Sequence, residues 1–100
     1  MSAPALRNGR HRDGGEFLLV EAATAHTSLD IAGTTPDALE AHRHMQLARE
    51  MLYTMNRYLR LLEMEASLRA VLERSRDKLE LRLAAVERRI DAKEAALCSL

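Results

Sequence analysis

The sequence predicts an all-α fold: a single long coiled-coil helix behind a flexible N-terminal tail. Three observations predict it. All four glycines and both prolines fall within the first 36 of 100 residues, so nothing from Asp37 to Leu100 interrupts a helix. Apolar residues recur in one heptad frame from Ala48 to the end. Only three aromatics (Phe17, Tyr53, Tyr58) and no tryptophan occur, which is little mass for a self-contained globular core.

Residues 1–35 read as the tail. Gly9, Gly14, Gly15 and Gly33, with scattered Ser, Thr and Asn, give loop or disordered composition. The stretch from Glu16 to Ala32 is less polar and could form a short helix or strand, by itself or only on a partner, but the glycines on both sides favour a flexible segment. The boundary follows at Thr34-Thr35-Pro36-Asp37, which supplies a hydroxyl N-cap, a proline in the first turn and an acid at the positive end of the helix dipole. Residues 36–100 then read as one rod, on the order of 95 Å long at 1.5 Å per residue. Such a rod is stable only where one face is buried, so the reading requires partner helices.

In the heptad frame, position a runs Ala48, Met55, Leu62, Arg69, Arg76, Leu83, Ile90, Leu97, and position d runs Met51, Tyr58, Glu65, Leu72, Leu79, Val86, Lys93, Leu100. The first half is also apolar at e (Met45, Leu52, Leu59, Ala66) and at g (Leu47, Leu61, Leu68). That stripe is too wide for a two-stranded seam and predicts three or more helices, in a homo- or hetero-oligomer. The predicted seam therefore comprises Leu47, Met51, Leu52, Met55, Tyr58, Leu59, Leu62, Leu72, Leu79, Leu83, Val86, Ile90 and Leu97. In the second half the e positions become Glu73, Glu80, Glu87 and Glu94, with Arg82 and Arg89 at g. Parallel identical strands would pair Arg82 with Glu87 and Arg89 with Glu94 between chains, so strand direction and partner choice fall to these residues. Glu65, Arg69 and Arg76 place charge on the seam itself. They predict either a hydrated waist or a device for register and partner selection. An antiparallel hairpin is the alternative architecture, although Arg74–Lys78 offers no turn residue.

Several functions are excluded by composition or spacing. Fifteen basic and fifteen acidic residues cancel and are spread evenly, which argues against nucleic-acid binding. No apolar run approaches the roughly 20 residues needed to span a bilayer, and Phe17-Leu18-Leu19-Val20 is short and badly placed for a signal peptide. Arg7, Arg10 and Arg12 suggest a mitochondrial presequence, but Asp13 and Glu16 contradict it. A lone cysteine, Cys98, fits a reducing compartment and has no base in register beside it. His42 and His44 are two apart and point about 200° away from each other on a helix, unlike ligand pairs spaced three or four apart. No catalytic, cofactor-binding or metal site is therefore expected, and the chain reads as a non-catalytic subunit.

Arg49-Glu50, Glu73-Arg74-Ser75-Arg76 and Ala85-Val86-Glu87-Arg88-Arg89-Ile90-Asp91 resemble the Brick-like small coiled-coil subunits of the SCAR/WAVE complex. Leu79-Glu80-Leu81-Arg82-Leu83, with Ala95, Leu97, Ser99 and Leu100, is similar to the related small subunit of the WASH complex. The resemblance covers about residues 40 to 100, with one single-residue offset between Arg76 and Leu83 for the Brick pattern; residues 1–35 match neither. It implies a helix bundled in parallel with helices of a nucleation-promoting factor and an Abi-like subunit, in a cytoplasmic, cytoskeleton-associated assembly that regulates branched actin. The competing expectations are a small coiled-coil subunit of a vesicle-tethering or organelle-biogenesis complex, and an amphipathic membrane-surface helix. The last would want a basic polar face, whereas acids and bases are mixed here.

Overall fold

The structure, a computed structural model, describes residues 2 to 99, and side chains from 15 to 99. The all-α expectation holds, but three packed helices replace the single rod: α1 Ser2–Thr34, α2 Ala38–Leu61 and α3 Ala66–Cys98. They lie side by side in a bundle of 68 × 21 × 17 Å. α2 runs antiparallel to both neighbours. α3 returns parallel to α1, since Gly15 meets Leu68 at one end and Gly33 meets Val86 and Arg89 at the other.

The rod breaks after Leu61, where neither Gly nor Pro stands. Leu62 (φ −96°, ψ 139°) and Glu65 (φ −56°, ψ 144°) adopt extended backbone open to any L-residue, so the turn needs no special side chain. The driving force is burial. An unbroken helix leaves its stripe to solvent until a partner arrives, whereas a four-residue turn lets the two halves of the stripe cover each other at small loop-closure cost. The charged waist of the expected register thus lies at and just after a corner. Glu65 becomes the residue before α3, and Arg69 reaches back from α3 to the Leu59 carbonyl and, at 2.7 Å, to the Leu62 carbonyl. Those carbonyls are among the groups that an ending helix leaves unpaired, at the negative end of its dipole.

The first connector also differs from expectation. α1 ends at Thr34 because Pro36 disfavours helical backbone at Thr35, and Pro36 lies before α2 instead of in its first turn because Asp37 takes the N-cap. The N-cap of α2 is Asp37, whose Oδ1 accepts the N–H groups of Leu39 (2.9 Å) and Glu40 (3.3 Å). Thr35 steadies this cap by accepting the Asp37 N–H at 3.2 Å.

The larger correction concerns the N-terminal region. The structure places a helix there, in place of the flexible tail expected for residues 1–35. From Gly15 onward its inner edge reads Gly15, Leu18, Ala22, Ala25, Leu29, Ala32, at alternating steps of three and four, and all six are buried, as is Ser28. Small residues dominate this edge because α1 approaches its neighbours closely: a Cβ on Gly15 would collide with the Leu68 side chain. Each glycine costs a helix about 1 kcal/mol relative to alanine. Burying Leu18 and Leu29 completely contributes about 1.5–3 kcal/mol apiece, so packing wins over propensity. α2 answers with Ala41, Met45, Ala48, Leu52, Met55 and Leu59, and α3 with Leu72, Leu79, Leu83, Val86 and Ile90, closing one core.

Because Ala25 is fully buried in the small-residue edge, Ala25→Leu is expected to overpack the core and lower unfolding free energy by about 1–3 kcal/mol. Urea denaturation followed by circular dichroism measures it; an unchanged midpoint would detach α1 from the core.

Candidate interaction surface

α2 carries two apolar stripes, and the bundle uses only one. The buried stripe occupies the a and e positions of the heptad frame, from Ala41 to Leu59. The second, at d and g, reads Leu47, Met51, Thr54, Tyr58, Leu61, again at alternating steps of four and three. It lies about 100° round the helix from the first. Leu47, Tyr58 and Leu61 on it are exposed, Leu61 by 66 %, and Met51 is half-buried against the core edge.

α1 has a second stripe of its own. Phe17, Val20, Thr24, Thr27 and Ile31 follow the same spacing on its outer side, with Phe17 and Val20 exposed by 49 % and 63 %. The two threonine hydroxyls turn inward onto their own helix, to the carbonyls of Val20 (2.9 Å) and Ala23 (3.1 Å). Thr54 does the same on α2, to the Glu50 carbonyl at 3.1 Å. With the hydroxyls so occupied, these positions offer mainly methyl groups outward. The sides turned to α3 are marked by His26 and Asp30 of α1 and by His42, Arg49 and Asn56 of α2. Both second stripes lie away from those sides, so they share the face of the α1–α2 layer opposite α3. From Leu47 to Leu61 on α2 and from Phe17 to Ile31 on α1 no ionisable residue except the Tyr58 phenol occupies a stripe position; His44 and Glu40 take the preceding d and g positions of α2.

The seam residues predicted from sequence are therefore divided. Leu52, Met55, Leu59, Leu72, Leu79, Leu83, Val86 and Ile90 are buried within the chain itself. Leu62 is half-buried at the corner, Leu47 and Tyr58 point outward with Met51 at their edge, and Leu97 is exposed near the end of α3.

The charged residues assigned to partner choice act mainly within the chain. Arg82 donates to Nδ1 of His26 (2.8 Å) and pairs with Asp30 on α1. Glu87 pairs with Arg49, and Glu94 meets His42 at 2.6 Å, both on α2. Arg76 bonds Asn56 (3.0 Å) and its neighbour Asp77 (2.8 Å), while Arg69 caps the end of α2. Arg89 lies exposed beside Gly33. In place of the inter-chain pairs Arg82–Glu87 and Arg89–Glu94, α3 directs Arg82 at α1 and Glu87 and Glu94 at α2. Each bridge is substantially exposed, and such pairs contribute at most about 1 kcal/mol. Their effect is on alignment: they fix which turn of α3 faces which turn of its neighbours.

An open cleft between α2 and α3 is lined by Asn56, Leu59, Arg60, Arg69, Glu73 and Arg76, and another between α1 and α3 holds Arg82 and Arg89. Arg69, Arg76 and Arg82 are already engaged by the partners named above. Among the described residues no group of three or more His, Cys, Asp or Glu side chains is arranged to hold a metal ion. Nor is any helix there long and apolar enough to cross a membrane.

Comparison with models of known protein families, with curated proteins and with solved structures found no match to this chain. The surface must be read from its own chemistry.

His26 is held below the ordinary imidazole pKa by burial, then by Arg82 and Lys78, against an upward pull from Asp30. The neutral ring accepts from Arg82, and protonation would set two cations together. A depressed imidazole contributes stability that is present above its unfolded pKa, about 6.5, and is lost as pH falls through the lower folded value. Thermal midpoints measured from pH 8 down to pH 5 are expected to fall less for His26→Asn, which keeps an acceptor for Arg82, than for the parent chain. Identical profiles would show that His26 does not titrate against folding.

Removing the α2 end-cap by Arg69→Ala leaves the Leu59 and Leu62 carbonyls without that donor and is expected to cost about 1.5–3 kcal/mol, read by urea denaturation. Arg69→Lys is expected to recover only part of it, because an ammonium lacks the guanidinium fork. Full recovery would show that charge alone matters there.

Proposed function

We propose that this chain is a non-catalytic helical assembly module, which presents the outer α1–α2 face to helices of other protein chains. The observation that carries the reading is the second heptad stripe of α2, Leu47, Met51, Thr54, Tyr58 and Leu61, left largely uncovered by the chain's own fold. Heptad spacing is the pattern by which one helix receives another, and contiguous exposed apolar patches mark interaction sites. The wide stripe that called for a bundle of three or more helices finds three in the chain itself, α2 included. Its unused flank supports further helices outside it.

A narrower proposal places this module in an actin-nucleation-promoting assembly of SCAR/WAVE or WASH type, with a cytoplasmic, cytoskeleton-associated location. Its support is the resemblance of Arg49-Glu50, Glu73–Arg76 and Ala85–Asp91 to the small subunits of those complexes. Val86 and Ile90 are committed to the chain's own core, and Arg49 and Glu87 to each other. A partner in such an assembly would therefore meet the outer α1–α2 face and not the stripe of α3.

The test is binding of the full chain to recombinant helical segments of an Abi-like subunit and a nucleation-promoting factor, compared with a Leu47→Glu/Tyr58→Glu variant. Binding by the parent, with a loss of at least about tenfold in the variant at unchanged helicity, supports both proposals. Equal binding by parent and variant would overturn the assigned face, and no binding by the parent would overturn the actin-assembly proposal.

A further inference from the structure

We infer that the outer α1–α2 face docks a second copy of this chain, giving a twofold dimer in which α1 of each copy lies antiparallel against α2 of the other. The inference rests on the interaction-module reading and names the partner.

Three features on that face select an identical chain. The first is its shape. Two antiparallel helices side by side, each with an outward stripe at coiled-coil spacing, match another such pair, and a twofold axis along the bundle brings them together with every neighbouring pair antiparallel, as in ordinary four-helix packing. A single foreign helix would cover the groove and leave Phe17 and Val20 on one flank or Leu61 on the other in water.

The second feature is charge. On the outward side α1 carries Glu16 and Glu21 and, among the described residues, no Lys or Arg. The outer edge of α2 carries Arg43 and Arg57; its one acid there, Glu50, is already bonded by Gln46 at 3.3 Å. α1 against α1 would set acids together, whereas α1 against α2 of the other copy sets Glu16 and Glu21 at the level of Arg57, with Arg43 toward the opposite end of the bundle. The outer side of α3 bears Arg74, Asp77, Lys78, Glu80, Arg88 and Asp91, all exposed, and its exposed Val71 and Leu81 stand ten residues apart among them, so it offers no comparable stripe.

The third feature is area. A face no wider than the 21 Å of the bundle and no longer than α2, about 36 Å at 1.5 Å per residue, gives at most roughly 750 Å² per copy, an upper bound just under the ~800 Å² per partner of a stable complex.

Sedimentation equilibrium of the full chain, from about 1 to 100 μM, is expected to show a rise from 11.3 kDa to twice that mass. Leu47→Glu/Tyr58→Glu is expected to remain monomeric throughout with helicity retained by circular dichroism. A second series does not depend on the apolar residues: Glu16→Lys/Glu21→Lys is expected to weaken the dimer, and adding Arg57→Glu to restore part of it. A parent chain that stays monomeric across the range overturns the inference, as does a dimer indifferent to both sets of variants. If that monomer still binds foreign helices through Leu47 and Tyr58, the dimer alone falls; if it binds none, the interaction-module reading falls with it.

Discussion

The close seating of α1 against α2 and α3 is the constraint on which the rest of the molecule depends. α2 and α3 alone form a hairpin whose apolar faces meet along one line and stay open on the other. With α1 in place, Ala25, Leu18 and Leu29 close that side, and Met55, Leu72 and Leu79 are driven to near-zero exposure. The seating is possible because the inner edge of α1 is built of Gly15, Ala22, Ala25, Ser28 and Ala32. Bulky side chains there would hold the helices apart and lose the dispersion contacts of the whole layer.

Once the three helices are seated, polar groups settle their alignment more than their stability. Arg82 reaches α1, Glu87 and Glu94 reach α2, and each pair is exposed enough that its energy is small. A slide of α3 by one turn would break all three pairs together and strand Arg69 away from the carbonyls at the end of α2. Many weak, mutually consistent contacts thus specify one arrangement of helices that hydrophobic burial alone would leave loosely defined.

The same geometry explains why an apolar face is left over. A helix in a three-helix bundle faces two neighbours, which uses roughly a third of its circumference, and the apolar part of α2 is wider than that. The surplus falls at Leu47, Tyr58 and Leu61, next to Phe17 and Val20 of α1, and it is uniform in chemistry because Thr24, Thr27 and Thr54 satisfy their hydroxyls on their own backbones. An apolar stripe with no ionised side chain from Leu47 to Leu61 discriminates poorly by attraction, so partner choice falls to its charged ends and edges.

Heptad spacing in the sequence determined that the chain is helical. It also determined which residues of α3 are inward, since Leu72, Leu79, Leu83, Val86 and Ile90 all stand at a or d of the one frame that fits. The excess width of the α2 stripe was legible too, and with it the need for more than one neighbouring helix. The helical character of Gly15 to Ala32 was available as a three-four spacing of Gly, Leu and Ala, but glycine and threonine punctuation masked it, because local propensity is judged without the contacts that override it. Tertiary structure alone decided that the neighbours come from the same chain. The corner at Leu62–Glu65 contains no residue that demands a turn, and the pairing of Glu87 with Arg49 or Arg82 with Asp30 joins helices whose order in space no local pattern records. The physical reason is that periodicity fixes which side of a helix seeks burial, while the choice of what buries it depends on the free energy of the whole assembled core.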